Sequence, residues 1–268
     1  MTEIIFIEGV SGVGKSTMVQ ILSRELTDLG YKVEAYLEGD CTNPIDFYNT
    51  AYFTICEYEK LCNKYCSFRD FISANTIMTE NARLIRYGNE KKFIFDEPLL
   101  SELSENELCY HPKKVIPINK YISVYTEIWK NYQGVVNGTV DFAIFDGSLL
   151  HHPLNDMINN YHINEEQAAR YISELLNALK LSKKYIFYLK TDNISERLRA
   201  ARRERGQTEP TRKQIEYWKR RYEYEMIVLS AIDERYQILD VSDNGWNLAK
   251  EEILYAINPK HKNGFTEY

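Results

Sequence analysis

The sequence has no apolar stretch long enough to cross a membrane. A spanning helix needs about 18 or more consecutive apolar residues, and no run in the 268-residue chain approaches that length. The N-terminus also lacks the basic segment and uninterrupted apolar stretch of a secretory signal peptide. We therefore expect a cytoplasmic protein without a membrane partner.

Cysteine is too scarce and too irregular to predict a disulfide framework or a zinc site. The five cysteines are odd in number and follow no zinc-binding spacing. Cys62 and Cys66 are one helical turn apart, but no second Cys/His pair follows them. Reduced thiols in a cytoplasmic protein are the simplest interpretation. The thiols are Cys41, Cys56, Cys62, Cys66 and Cys109.

An excess of positive charge is also missing. The 33 Lys and Arg residues face 39 Asp and Glu residues, which gives a net charge of −6 and argues against nucleic acid as a partner. No repeat or low-complexity linker divides the chain, and 44% of its residues are hydrophobic, enough for a large core. We expect one domain, residues 1–268, because α/β domains reach this length.

Five short runs have the composition of β-strands. Amphipathic helical stripes lie between them, such as Met18 to Leu29, which ends at Gly30, a typical C-terminal cap. Alternating strands and helices predict an α/β fold with a parallel sheet, whose ligands bind beyond the carboxyl ends of the strands. The runs are Glu3–Glu8, Lys32–Leu37, Asp141–Phe145, Tyr185–Leu189 and Tyr236–Asp240.

A long segment, about residues 41–139, separates the second run from the third. It is rich in Tyr and Phe, and we interpret it as a large, mostly helical insertion that caps a substrate pocket. Simple packing against the sheet would explain the same composition. The aromatic content also leaves a homodimer open, although no heptad pattern predicts one.

The first strand leads into a complete Walker A pattern and then into an amphipathic helix. Its glycines allow successive N–H groups to point at phosphate oxygens, with the helix N-terminus adding positive potential. Lys15 is expected to reach the β- and γ-phosphates of ATP, and the Ser16 hydroxyl to bind Mg²⁺. A turn that only joins strand to helix is the alternative. The predicted nucleotide-binding residues are Gly9, Val10, Ser11, Gly12, Val13, Gly14, Lys15, Ser16 and Thr17.

A carboxylate close to the Mg²⁺ ion is expected at a strand end. Asp146 follows the third run and is our preferred metal ligand together with Ser16. Asp96 and Glu97 follow another apolar run, Lys91–Phe95, and are the alternative. We prefer Asp146 because its run has the character of a central strand.

A kinase also needs a group that orients or deprotonates the acceptor hydroxyl. Glu38 follows the second run and is the preferred catalytic base, with Asp40 and Asp96 left open. A surface turn through Gly39 is the non-functional interpretation of this stretch. His151 and His152 come soon after Asp146 and could line the pocket, although neighbouring histidines are as often surface residues.

An arginine-rich stretch, about residues 195–215, is predicted to form a mobile lid. Planar guanidinium groups suit a transferring phosphoryl group, and lid closure excludes water. Arg202, Arg203 and Arg205 are the candidate catalytic arginines. Interleaved glutamates permit a second interpretation, a solvated and salt-bridged helix pair.

These motifs together resemble the thymidylate kinase and deoxynucleoside kinase group of P-loop kinases. Phe6–Gly9 is similar to the opening of those enzymes, Phe145–Ser148 to their acid-Arg-Ser motif, and Glu196–Leu198 with the arginines after it to their lid. The resemblance implies a three-layer P-loop NTPase fold with a five-stranded parallel sheet of order 2-3-1-4-5. It also implies ATP and Mg²⁺ as cofactors and Glu38 as general base.

Two positions depart from that group, and they leave the acceptor open. Gly147 stands where the family has an arginine, and Ser11 replaces a loop aspartate typical of thymidylate kinases. We expect an ATP-dependent kinase acting on a hydroxyl or phosphate of a small molecule. The acceptor is either a nucleoside or nucleotide, or an antibiotic or other metabolite, as in kinases resembling chloramphenicol phosphotransferase. A regulatory ATP-binding protein is the non-enzymatic alternative, while a GTPase is not favoured because Asn-Lys-x-Asp is absent.

Overall fold

The computed structural model describes residues 1–40, 42–88 and 92–258, in which strands and helices alternate. Cys41 and Lys91, both considered above, lie outside the described residues. The strands are β1 (Glu3–Glu8), β2 (Val33–Tyr36), β3 (Thr50–Thr54), β4 (Thr76–Met78), β5 (Ala82–Arg86), β6 (Phe142–Asp146), β7 (Lys183–Lys190) and β8 (Tyr236–Asp240). The helices are α1 (Lys15–Asp28), α2 (Ile55–Lys64), α3 (Arg69–Ala74), α4 (Leu99–Glu105), α5 (Ile118–Val136), α6 (His151–Asn159), α7 (Glu165–Ala178), α8 (Ile194–Glu204), α9 (Arg212–Ala231) and α10 (Trp246–Ile257).

Five strands form one parallel sheet in the order β2-β6-β1-β7-β8. As strands are numbered along the chain, this order differs from the expected 2-3-1-4-5, because the insertion supplies three strands that were not predicted. The strand expected third, at 141–145, is β6, which pairs with β1 so that Ile5 lies opposite Ile144. The carboxyl ends of β1, β2 and β6 therefore meet at one edge.

Both faces of this sheet are buried. Along β1 the side chains alternate: Ile4 and Phe6 join one apolar cluster and Ile5 and Ile7 join the other. The first cluster includes residues of α5, α7 and α9, and Trp129 of α5 stacks on Phe6 at 5.7 Å. The second includes residues of α1 and α10. The result is three layers, as expected for alternating strands and helices.

The insertion contains a second sheet. Strands β3, β5 and β4 pair antiparallel in that order and have their own apolar cluster. The prediction of a mostly helical insertion missed this sheet. Four of the five residues of Thr50–Thr54 are β-branched or aromatic, a composition that suits a strand. Helix α5 leaves the insertion to pack on the main sheet, so packing is one structural role of this segment. Its role as a cap over a substrate pocket stays a prediction.

The apolar run that ends at Phe95 is not a strand. Phe93 forms only an isolated bridge with Gly88, and Asp96 and Glu97 are exposed residues just before α4. The prediction of acids at a strand end was therefore wrong here. Among the helices of the described residues, none combines the length and apolar character that crossing a bilayer requires.

Candidate functional site

At two positions of the loop between β1 and α1, the backbone accommodates only glycine. Gly9 has φ of 140°, and a Cβ there would lie 2.6 Å from the Leu189 carbonyl oxygen. Gly14 has φ of 98°, and its Cβ would lie 2.5 Å from the Trp246 ring. Helix α1 begins at the next residue, Lys15. The loop therefore turns tightly into a helix N-terminus, the usual geometry of a phosphate cradle.

Lys15 and Ser16 stand at the first turn of α1, above the end of the sheet. The buried Lys15 ammonium donates to the Gly9 carbonyl at 3.0 Å and so lies across its own loop. The Ser16 hydroxyl donates to Asp146 Oδ2 at 2.5 Å. The structure thus joins the loop to the carboxylate that the sequence analysis preferred.

The Asp146 carboxylate fits a metal ligand by its bonding. It is fully buried at the end of β6, and its Oδ1 atom has no hydrogen-bond partner among the described residues. Burial raises the pKa of Asp146, against the opposing effect of Lys15 and the Ser16 hydroxyl. An unpartnered buried carboxylate oxygen beside a serine hydroxyl is a donor set that suits Mg²⁺.

Glu38 lies in the turn after β2, on the same edge as Asp146. Its backbone N–H approaches Asp146 Oδ2 at 3.4 Å, and its side chain is 33% exposed. Glu38 Oε1 lies 3.6 Å from His152 Nε2. Burial alone would raise the pKa of Glu38, but His152 and Lys15 outweigh it and hold the pKa well below its usual value. Glu38 therefore lies in a turn and also beside Asp146, and its role as catalytic base stays a prediction.

His152 bridges Glu38 and a buried aspartate that the sequence analysis did not consider. His152 Nδ1 lies 2.9 Å from Asp46 Oδ2, and the Tyr110 hydroxyl donates to Asp46 Oδ1 at 3.0 Å. Burial would lower the pKa of His152, yet Asp46 and Glu38 outweigh it and raise the pKa well above its usual value. Asp46 in the insertion and Glu38, the candidate base, therefore both balance positive charge on His152.

His151 is held on three sides. Its backbone N–H donates to Glu8 Oε2 at 3.1 Å, its carbonyl accepts from Arg221 at 2.9 Å, and its ring stacks on Trp218 with the planes 1° apart. Its Nδ1 atom is buried without a hydrogen-bond partner among the described residues. Burial, reinforced by Lys15, lowers the pKa of His151 well below its usual value. His151 is therefore a fixed, neutral ring with a free polar atom.

Glu8 and Arg221 fasten the segment that carries both histidines. Burial raises the pKa of Glu8 to about 7, although its hydrogen bonds from Leu149 and His151 and the charge of Lys15 lower it. Arg221 also pairs with Glu225 at 2.7 Å, and this pair is almost fully buried. Arg221 lies beyond the predicted lid and was given no role from the sequence, because burial of a charged helical residue has no local signal.

The structure gives a steric reason for glycine at position 147. It has φ of 67°, and a Cβ there would lie 3.0 Å from His151 Cβ and 3.1 Å from Lys15 Cε. The space that a side chain at this position would occupy is therefore filled by His151 and Lys15. An arginine at 147 would displace one of them.

The predicted lid lies beside the phosphate loop, but its arginines point elsewhere. A Cβ on Gly12 would lie 3.0 Å from the Arg197 carbonyl and 3.2 Å from Ala201 Cβ, so α8 covers the loop. Arg202 donates to the Thr208 carbonyl at 2.7 Å, and Arg203, 76% exposed, pairs with Glu209 at 3.5 Å. Arg205 is exposed at the end of α8. The arginines therefore pair within α8 and the loop that follows it, and a mobile lid stays a prediction.

Asp40, the other base candidate after β2, has a local role. Asp40 Oδ1 accepts hydrogen bonds from the backbone and hydroxyl of Thr42, both at 2.8 Å, and so caps its own turn. The residues that sequence reasoning missed are Asp46 and Tyr110, both in the insertion. A lone aspartate between the apolar residues Ile45 and Phe47 was the available signal, and it is a weak one.

Comparison with known proteins shows a distant likeness of fold. No protein-family model and no curated protein sequence matches the chain. An uncharacterized protein from Eubacterium ventriosum aligns over 97% of this chain and 99% of its own, with 11% identity and a TM-score of 0.43. Thymidylate kinase from Candida albicans aligns over 97% of this chain and 92% of its own, with 13% identity and a TM-score of 0.43. At such scores any function has to be argued from the site itself.

Proposed function

We propose that the protein is an ATP- and Mg²⁺-dependent phosphotransferase that moves the γ-phosphoryl group to a hydroxyl or phosphate of a small molecule. The observation that carries this proposal is the convergence of four groups at one sheet edge. They are the glycine loop, Lys15, the Ser16–Asp146 pair and Glu38. Glu38 is the group that favours transfer over nucleotide binding alone.

The donor side of the site would be held by the loop and α1. N–H groups of residues 9–17 and the Lys15 ammonium would bind the phosphates, and Ser16 with Asp146 would hold Mg²⁺, which neutralises charge on the phosphate oxygens. Lys15 has to leave the Gly9 carbonyl to do this. Closure of α8 over the loop would bring Arg202, Arg203 and Arg205 towards the phosphates once they leave their present partners.

The acceptor side would be organised by Glu38. Its carboxylate would accept the proton of the acceptor hydroxyl, and His152, itself held by Asp46, would orient it. His152 is therefore a positioning residue in this proposal. The acceptor would enter between Glu38 and the insertion, which supplies Asp46 and Tyr110. Nucleosides or nucleotides are one acceptor class, and antibiotics or other hydroxyl-bearing metabolites are the second.

Lys15→Ala tests the donor half of the proposal. We expect phosphoryl transfer from ATP to fall by at least about 100-fold, because one preorganised positive group at the transferring phosphate is lost. Circular dichroism should show an unchanged fold. Lys60→Ala, an exposed lysine on α2, is the matched control and should retain activity.

The assay measures ATP consumption against a library containing both acceptor classes. Turnover of nucleosides or nucleotides alone would exclude the antibiotic class. Full activity of Lys15→Ala would contradict the assignment. ATP binding with no acceptor turned over would favour a regulatory nucleotide-binding protein instead.

A further inference from the structure

Two histidines and one glutamate converge beside the phosphate loop, and the proposed phosphotransferase gives His151 no role. Glu38, His151 and His152 each offer one ligand atom, and these atoms all lie within 4.8 Å of one another. His151 and His152 are 8% and 4% exposed. Nitrogen donors of this kind are not what Mg²⁺ selects, since Mg²⁺ prefers oxygen ligands.

The spacing of the Glu38 oxygen and the His152 nitrogen matches that of two ligands on one transition-metal ion. Glu38 Oε1 and His152 Nε2 lie 3.6 Å apart, which is long for a hydrogen bond. A tetrahedral zinc ion with bonds of about 2.0–2.1 Å keeps its ligand atoms roughly 3.4 Å apart. The third donor, on His151, lies within 4.8 Å of the other two.

The surroundings of the two histidines differ, and those of His152 are typical of a metal ligand. A ligating histidine commonly has its other ring nitrogen bonded to a carboxylate, and His152 Nδ1 lies 2.9 Å from the buried Asp46. Asp46 in turn accepts from Tyr110 and from the Phe47 N–H at 2.8 Å. His151 is fixed by its stack on Trp218 and has a buried nitrogen without a partner among the described residues.

We propose that Glu38, His151 and His152 form a binding site for a divalent transition-metal ion of the zinc class, beside the nucleotide site. Two imidazoles and one carboxylate with a free fourth position form a donor set typical of zinc. Asp46 supports the site by orienting the ring of His152. An ion bound here engages the carboxylate that we proposed as the base, so it inhibits phosphoryl transfer. This inhibition rests on the proposed function, whereas the binding does not.

The binding test uses Zn²⁺ in competition with a chromophoric chelator. The parent protein has Cys41, Cys56 and Cys66 replaced by serine, so that these three thiols do not contribute, and excess Mg²⁺ occupies oxygen sites. We expect one Zn²⁺ per chain. Glu38→Gln and His151→Phe, which keeps an aromatic ring against Trp218, should each weaken binding by at least about 100-fold, and Asp46→Asn by about 10- to 100-fold.

His111→Ala, an exposed histidine outside the cluster, is the matched control and should bind Zn²⁺ as the parent does. Co²⁺ supplies a second readout, because four-coordinate Co²⁺ absorbs strongly in the visible range. That band should be present in the parent and absent in His151→Phe. Loss of binding counts only for variants whose circular dichroism and thermal unfolding match the parent.

Several outcomes overturn the inference: no Zn²⁺ bound by the parent, unchanged affinity in folded Glu38→Gln and His151→Phe, or a Co²⁺ spectrum of six oxygen ligands. Zinc bound by a protein that transfers no phosphoryl group would refute the proposed function and leave the metal site standing. Phosphoryl transfer by a protein that binds no zinc would do the reverse.

Discussion

At the scale of single residues, the site is crowded at Gly147. The chain passes there with φ of 67° between His151 and Lys15. A left-handed backbone is costly for any residue with a Cβ, and here the Cβ also meets the two side chains of the site. The space that a side chain at position 147 would occupy is therefore filled by His151 and Lys15.

Gly147→Ala should destabilise the protein by about 1–3 kcal/mol and weaken ATP binding, because the methyl group presses on Lys15. Gly138→Ala is the matched control: its φ is 83° and nothing lies within 4 Å of its Cβ position. That control should show only the backbone cost, about 1 kcal/mol. Urea denaturation and ATP titration measure both effects. Equal losses in the two variants would show that crowding at Gly147 is unimportant.

At the scale of elements, α9 holds the site from outside the sheet. One turn of it presents Trp218 to the ring of His151, and the next presents Arg221 to the carbonyls of Leu150 and His151. Arg221 can do this inside the core because Glu225, one turn further on, balances its charge at 2.7 Å. Tyr188 of β7 donates to the same glutamate at 2.6 Å.

Arg221→Met should destabilise the protein by about 3–5 kcal/mol, because it leaves the buried Glu225 without its partner. The double variant Arg221→Met/Glu225→Gln should lose less, since no uncompensated charge remains. Arg220→Met, the exposed neighbour on the same helix, should change the free energy of unfolding by at most about 0.5 kcal/mol. Chemical denaturation measures all three. A double variant as unstable as the single one would show that the contacts of Arg221, rather than its charge balance, hold the segment.

At the scale of the whole molecule, buried carboxyl groups make stability depend on pH. Burial raises the pKa of Asp156, from the model-compound value of 3.8, to about 7, despite hydrogen bonds from Tyr121 and from the Tyr110 N–H. The folded protein therefore binds more protons than the unfolded chain between these two values. The stability contributed by protonated Asp156 is complete below pH 3.8 and is lost as the pH rises through about 7.

Asp156→Asn removes this dependence. Relative to the wild type, the variant should gain up to about 4 kcal/mol of stability as the pH rises from 4 to 8, from about 1.4 kcal/mol per pKa unit. Glu8 also titrates in this range but is common to both proteins, so the difference isolates Asp156. Denaturation midpoints at a series of pH values provide the measurement. The exposed Asp70→Asn should follow the wild type, and a parallel shift in Asp156→Asn would argue against the raised pKa.

Much of the fold follows from short stretches of sequence. The five strand positions of the main sheet were predicted to within about two residues, because each buried parallel strand is a compact apolar run. The strand–loop–helix around Gly9 and Gly14 was predicted because all its determinants are local. The second sheet was missed, since its strands are short and are paired only by the way the insertion folds back on itself.

The sequence alone determined the glycine loop, the helix that starts at Lys15 and the parallel sheet, because nearby residues specify them. Only the tertiary structure decided the chemistry beyond the loop. Glu38 meets Asp146 across 108 residues of chain, and His152 meets Asp46 of the insertion. Which carboxylate faces a histidine depends on how distant strands and the insertion pack, and no local pattern encodes that.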